Sequence, residues 1–482
     1  MLGFVYKIFL SRTLTTEMLG VYTIVASVFM VFVTILNSGI PLAVSKTTVK
    51  YHDDSTKASA SVTSGLIISL ITFLISAIII LIGKPFFVSY FGSSIAFSVL
   101  ISLLPAILFT GVYAPFRGYL WGKEKFFEVS IVEFIEQIIR ISCYFLLVFL
   151  VDFKNDLYPV GLSASLACIL STIVGMYFYF KYNGRIKSPK YHIKSVFQSS
   201  TPISLIRLAT SLMQPFMSFL MPIMLISSGY THEQSLSQLG IAMGMTMPLL
   251  TIPSTLIGSL AMAIVPNLNS LYNKNKYTEL KKQISSAIKF TICCSFIIIP
   301  FFIALGEQSC TLLYNNITAG TYLKNCAWII IPMGLSQISS SILNSLNLEK
   351  STFKYYIYSC IVLLLSIVVL PKFVGIYALM YGTGLSMSMV AILNLLKINK
   401  TLNESKLYIS LIFKLTLICI PTLLLTKWIY NILYFVFPDL ICLAICGAIS
   451  VAVFTILMFV FNILDIQTIK NKLSNKKVLS KS

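Results

Sequence analysis

Acidic residues, histidine and tryptophan are scarce in this chain. Asp and Glu together number 16, against 36 Lys and Arg, 3 His and 3 Trp in 482 residues. Charged residues make up only 11% of the sequence, whereas a soluble domain carries about 25%. A water-soluble globular protein is therefore excluded. The histidines His52, His192 and His232 fall in loops, and none stands at metal-ligand spacing from a cysteine, so neither a metal centre nor another cofactor is expected. The ten cysteines lie almost entirely in apolar stretches, Cys143, Cys168, Cys293, Cys294, Cys442 and Cys446 among them. They read as small buried apolar residues. No cleavable signal peptide is visible. The longest connection expected on the outer side, 306–323, is GEQSCTLLYNNITAGTYL. It offers no extracytoplasmic domain for enzymatic chemistry, and an enzyme is not expected.

What the chain has instead is hydrophobic length. It is 57% hydrophobic, with a mean hydropathy of +0.88. Apolar runs long enough to cross a bilayer of about 30 Å recur throughout. Spans are expected at 1–13, 19–45, 60–83, 95–118, 127–151, 157–180, 201–226, 237–264, 285–305, 324–346, 354–371, 374–396, 407–429 and 440–462. The fold class is thus an all-α polytopic membrane protein of about 14 spans, the first one short. MLGFVYKIFLSRT has too few apolar residues to span alone and looks like the outer half of a helix.

Basic residues set the orientation. Most Lys and Arg fall in 46–58, 123–128, 181–194, 274–289, 350–354, 397–406 and the tail 470–481. The alternate connections hold only Arg12, Lys84, Lys154, Lys324, Lys372 and Lys427. The positive-inside rule places the first set, with both termini, in the cytoplasm. It also explains the net charge of +20 without a nucleic-acid partner. The remaining Lys7, Arg117, Arg140, Arg207 and Lys414 lie in spans or near their ends.

An internal repeat is visible. Residues 19–46, LGVYTIVASVFMVFVTILNSGIPLAVSK, resemble 239–266, LGIAMGMTMPLLTIPSTLIGSLAMAIVP, and 160–181 resemble 374–395. Pro105 has a counterpart in Pro332. Two repeats of six spans each run the same way through the membrane, a plan common among secondary transporters. The expected organisation is an N-lobe at 1–182, a basic cytoplasmic linker at 183–200, a C-lobe at 201–398, two additional spans at 399–466 and a basic tail at 467–482. The two parallel six-helix lobes would surround a central cavity.

The candidate site centres on 105–140, PAILFTGVYAPFRGYLWGKEKFFEVSIVEFIEQIIR. Its second helix carries Glu133, Glu136, Gln137 and Arg140 in an otherwise apolar run. Charge at that depth costs roughly 2.5–3.5 kcal/mol per residue and marks a cavity or a partner. Glu133, Gln137 and Arg140 share a helical face, and Glu136 precedes Arg140 by one turn. The pattern fits an internal ion pair that holds the bundle; it fits equally an arginine poised by a movable counter-ion. Arg207, in TPISLIRLATSL, has no acid in its own span. Lys7, Arg12 and Arg117 complete the basic candidates, although Arg12 and Arg117 also suit snorkelling at an interface. Pro215 and Pro222, in QPFMSFLMP, form a candidate hinge or else static kinks. An excess of guanidinium groups selects an anion, and arginine forks match phosphate oxygens.

The stretches GFVYKIFLSR…LGVY…NSGIPLAVSK, APFRGYLWG…IEQIIR and, at 202–272, PISLIRLATSLMQ…GYTHEQSLSQLGIAMGMTMPLLTIPSTLIGSLAMAIVPNLNSLY resemble the stage V sporulation protein B and polysaccharide-biosynthesis flippase family. That family belongs to the multidrug/oligosaccharidyl-lipid/polysaccharide (MOP) exporter superfamily, which includes the lipid II flippase. The resemblance implies two six-helix lobes in a V around a basic cavity, with two extra helices. It implies alternating access that moves an undecaprenyl-pyrophosphate-linked saccharide, such as a peptidoglycan precursor, to the outer leaflet of the plasma membrane. Arg12, Arg117, Arg140 and Arg207 match basic positions of the pattern, and Lys7 stands where relatives carry arginine. Two departures are the short first helix and the lack of an aspartate near QPFMS. The expected partners are the lipid-linked oligosaccharide pyrophosphate, bilayer lipids and the cell-wall synthesis machinery, with the chain a monomer. The alternatives are a drug/cation antiporter of the multidrug and toxin extrusion type, which would use Glu133 or Glu136, and a membrane-embedded glycan polymerase.

Overall fold

A computed structural model describes residues 2–51, 54–151, 153, 156–189, 193–403 and 408–463. Among these residues the regular structure is helical throughout, with no strand. The chain forms two compact units, Met1–Gly240 and Ile241–Ser482. Lys154, His52, His192 and the basic tail lie outside the described residues.

The first unit holds α1 (Leu2–Thr13), α2 (Thr16–Lys50), α3 (Ser55–Ile82), α4 (Lys84–Phe91), α5 (Ser94–Ser102), α6 (Leu104–Gly122), α7 (Phe126–Leu150), α8 (Tyr158–Lys181), α9 (Ile193–Ser211), α10 (Met213–Ile226) and α11 (His232–Leu239). α2 is its longest element, and α3, α6, α9 and α11 all pack along it. The Thr15 side chain caps α2 by accepting from the Met18 N–H, with Glu17 in the first turn and Lys50 in the last. Both charges complement the helix dipole. α6 comes unusually close to α2. A Cβ on Gly118 would lie 2.5 Å from the Pro41 carbonyl oxygen, so only glycine lets the two backbones touch there. α9 is tied to α2 by Ser204, whose hydroxyl donates to the Ile35 carbonyl at 3.3 Å.

The seventh expected span is two helices. Leu212 separates α9 from α10. Pro215 has no N–H to offer the Ser211 carbonyl one turn back, and the helix is interrupted there. Pro222 lies inside α10 without breaking it. The Tyr90 hydroxyl of α4 donates to the Pro215 carbonyl at 2.5 Å, and its ring stacks on Phe219 at 4.3 Å.

In the second unit a π-helical stretch leads into α12 (Met247–Asn273). There follow α13 (Tyr277–Tyr314), α14 (Ile317–Cys326), a 3-10 turn at Ala327–Ile329, α15 (Ile330–Ser345), α16 (Glu349–Val369), α17 (Pro371–Val374), α18 (Tyr377–Leu402), α19 (Ile409–Leu433) and α20 (Asp439–Val460). Here the structure corrects the sequence reading. The span expected at 285–305 is part of a 38-residue helix that bends at Leu305, and the 306–323 connection is mostly helical. It folds back through Asn315, whose φ is 54°. A Cβ on Gly320 would come within 2.3 Å of the Glu307 Cα, so glycine permits the two arms to touch. Lys324 and Glu307 pair across them at 3.5 Å.

The helix before Pro105 breaks at Leu103, and the helix before Pro332 breaks into the 3-10 turn at Ala327–Ile329. Among the described residues, twelve helical stretches are long and apolar enough to cross a membrane. α1 and α7 stand outside that set. α1 has 12 residues and rises only about 18 Å. α7 has 25 residues but carries Glu133, Glu136 and Arg140. The chain is an all-α polytopic membrane protein.

Candidate functional site

The polar residues of α7 form a ladder with α6. Arg117 leaves α6 next to Gly118, where α6 presses on α2. Its Nη2 donates to the Asn37 carbonyl at 3.0 Å and to Asn37 Oδ1 at 2.7 Å. Its Nη1 lies 3.6 Å from Glu133 Oε1, and the guanidinium sits 4.7 Å from the centre of the Trp121 ring. The Arg117 side chain is 14% exposed and that of Glu133 53%. Arg117 is therefore clamped between α2 and α7; it does not snorkel.

One turn further along α7, Arg140 Nη2 lies 2.5 Å from Glu136 Oε1. Both side chains are mostly covered, at 23% and 20% exposed. The spacing of four residues stacks them on one helical face. Arg140 also faces Tyr6 of α1, Tyr22 of α2 and Cys168 of α8. The Nε atoms of both Arg117 and Arg140 are buried without an acceptor among the described residues. Each guanidinium thus retains a donor that a further acceptor could take.

α1 lies along α7. Thr13 and Tyr144 pair through their hydroxyls, Phe9 meets Phe145 edge-on at 4.4 Å, and a Cβ on Gly3 would lie 3.8 Å from Gln137 Oε1. With Gly3 opposite Gln137 and Thr13 opposite Tyr144, Lys7 stands at about the level of Arg140. Lys7 is exposed and forms no ion pair with a described residue. Arg12 is exposed in the last turn of α1. Arg207 is exposed on α9, one turn beyond Ser204, and also forms no ion pair with a described residue.

The structure thus brings Arg117, Glu133, Glu136 and Arg140 into one ladder, with Gln137 beside α1. Among the described residues, neither Lys7 nor Arg207 forms an ion pair with that ladder. Pro215 and Pro222 are buried on α10, away from it. A cavity of 410 Å³ opens beside the C-terminal ends of α1 and α7. Its lining includes Thr13, Tyr144, Val148, Asp156 and Pro159, and none of the basic candidates. Among the described residues, no cluster of His, Cys, Asp and Glu could hold a metal. Sequence reasoning missed Asn37 and Trp121 as partners of Arg117. An asparagine inside an apolar span was the available signal for the first.

Comparison with known proteins gives the family. The polysaccharide biosynthesis protein family matches residues 1–272, and the MatE family matches 208–372. The chain is 23% identical to stage V sporulation protein B of Bacillus subtilis (strain 168), over 72% of this chain and 70% of that protein. An inward-facing multidrug resistance MATE family transporter of the MOP superfamily superposes with a TM-score of 0.70 at 16% identity, covering 83% of this chain and 94% of the other. The lipid II flippase MurJ, in an inward closed conformation, superposes at 0.68 and 16% identity over 95% and 96%. The match over 1–272 spans more than half of the 482 residues, and the chain belongs to the polysaccharide biosynthesis protein family.

Proposed function

We propose that the protein is a flippase that moves a lipid-linked saccharide bearing a diphosphate, of the undecaprenyl-pyrophosphate kind, from the inner to the outer leaflet. The observation that carries this reading is the surplus of basic charge. Lys7 and Arg207 are exposed, and neither forms an ion pair with a described residue. Neither α1 nor α9 contains an acid. Arg117 and Arg140 add guanidinium groups whose Nε donors are unused. A diphosphate offers the bidentate oxygens that such groups recognise. MurJ, whose fold this chain shares, is a lipid II flippase, which supports a peptidoglycan precursor here. The carried anion would move toward a positive exterior, favoured by roughly 2.3 kcal/mol per charge per 100 mV.

In this reading the repeat copies at 1–182 and 201–398 are the lobes of an alternating-access cycle, with 183–200 as linker and 399–466 as two accessory spans. The break at Leu212 beside Pro215 serves as the hinge of the seventh span, with Pro222 a static kink. Both termini lie in the cytoplasm, the membrane is the plasma membrane, and the chain acts as a monomer alongside the cell-wall synthesis machinery. The cation-antiporter reading is weaker, because Glu133 and Glu136 each already face an arginine.

The test is native mass spectrometry of the purified protein. A co-purifying polyprenyl diphosphate that is lost in the Lys7→Ala and Arg207→Ala variants supports the proposal. Retention of the lipid by both variants, or its absence from the wild type, removes it.

A further inference from the structure

We infer that a diphosphate seated on Arg140 is bound together with one proton, and that Glu136 is the group that receives it. This rests on the diphosphate reading above and adds a linkage to it. Arg140 Nη2 and Glu136 Oε1 are 2.5 Å apart, and each side chain is about four-fifths covered. Glu136 is the single carboxylate paired with this guanidinium among the described residues. A diphosphate oxygen that takes Nη2 of Arg140 displaces the carboxylate held there at 2.5 Å.

What surrounds the displaced Glu136 decides its fate. On α7 its neighbour Glu133 carries like charge. On α6 the other nearby cation, Arg117, is already held by Asn37 and Glu133, and Tyr113 offers only a phenol. On α8 it meets Ser171 and Cys168, both neutral. Beyond Arg140 lie the phenols Tyr6 of α1 and Tyr22 of α2. Lys7 of α1 forms no ion pair with Glu136, and among the described residues Arg140 is the one cation that does. A covered carboxylate without a counter-ion, next to Glu133 and an incoming diphosphate, is unfavourable as an anion. One proton from solvent bonding to a Glu136 oxygen removes the charge, and no other bond changes. By reciprocity, a proton on Glu136 frees Arg140 and strengthens anion binding.

The experiment is isothermal titration of the full chain in nanodiscs with farnesyl diphosphate as the probe, near neutral pH, in buffers of different ionisation enthalpy. The wild type should show heats that vary with buffer in the sense of net proton uptake, approaching one proton per probe bound. Glu136→Gln should bind the probe with no uptake. Proton loss from the probe's own phosphate would have the opposite sign, so the two sources separate. Buffer-independent heats or net release in the wild type overturn the inference while leaving the diphosphate reading intact. Uptake that persists in Glu136→Gln also overturns it. Should that variant not fold, the sign of the wild-type exchange decides alone. No binding of the probe by the wild type removes both the reading and the inference.

Discussion

Removing one partner of the Glu136–Arg140 pair should cost far more than removing one partner of the Arg117–Glu133 pair. An exposed ion pair couples by about 0–1 kcal/mol, whereas stripping one partner from a buried pair costs about 3–5 kcal/mol. Glu136 and Arg140 are 20% and 23% exposed and 2.5 Å apart, which places their coupling at about 2–3 kcal/mol between those limits. Glu133 is 53% exposed and sits 3.6 Å from Arg117, so that coupling should stay within about 1 kcal/mol. Two double-mutant cycles measure both values, built from Glu136→Ala with Arg140→Ala and from Glu133→Ala with Arg117→Ala, and read by reversible denaturation in detergent micelles. Additive costs for Glu136 and Arg140, within about 0.5 kcal/mol, would refute the pairing. A larger coupling for Arg117–Glu133 would refute the use of burial to rank the two.

Gly118→Ala should destabilise the first unit by about 1–3 kcal/mol, because its Cβ would lie 2.5 Å from the Pro41 carbonyl oxygen; an unchanged thermal unfolding curve contradicts the close approach of α6 to α2. Asp54 caps α3 by accepting from the Thr56 and Lys57 N–H groups and pairs with Lys57 Nζ at 3.0 Å. Hydrogen bonds from Thr56 first, then Lys57, hold its carboxyl below the ordinary carboxylate range. Its contribution is therefore complete above that range and is lost as pH falls through the lowered folded value. Unfolding of Asp54→Ala should differ from wild type at neutral pH and converge with it in strong acid; a gap that widens on acidification contradicts the cap.

The sequence carried the α7 ladder in part, for a physical reason. Glu136 and Arg140 are four residues apart on one helix, and helical geometry alone brings them together. Arg117 was legible as a charge but not as a clamp, because Asn37 approaches it from α2, 80 residues away in sequence. The reading of 306–323 as a loop failed on its polar residues. Gln308 and Ser309 bury side-chain oxygens, and Gly306 and Gly320 serve a tight helix pairing, not a flexible connection. Pro215 follows Leu212, where α9 gives way to α10. Pro222, of the same residue type seven positions on, stays within α10.

The central claim is that unpaired basic groups on acid-free helices draw in a diphosphate-bearing lipid. It is tested most directly by flipping of a fluorescent polyprenyl diphosphate saccharide in proteoliposomes. Wild type and Arg207→Ala would be compared at equal incorporation and equal thermal stability. Because Arg207 is exposed and forms no ion pair with a described residue, its loss should change stability by no more than about 0.5 kcal/mol. The account predicts that flipping falls to the level of empty liposomes in Arg207→Ala. Flipping at the wild-type rate in that variant would contradict it.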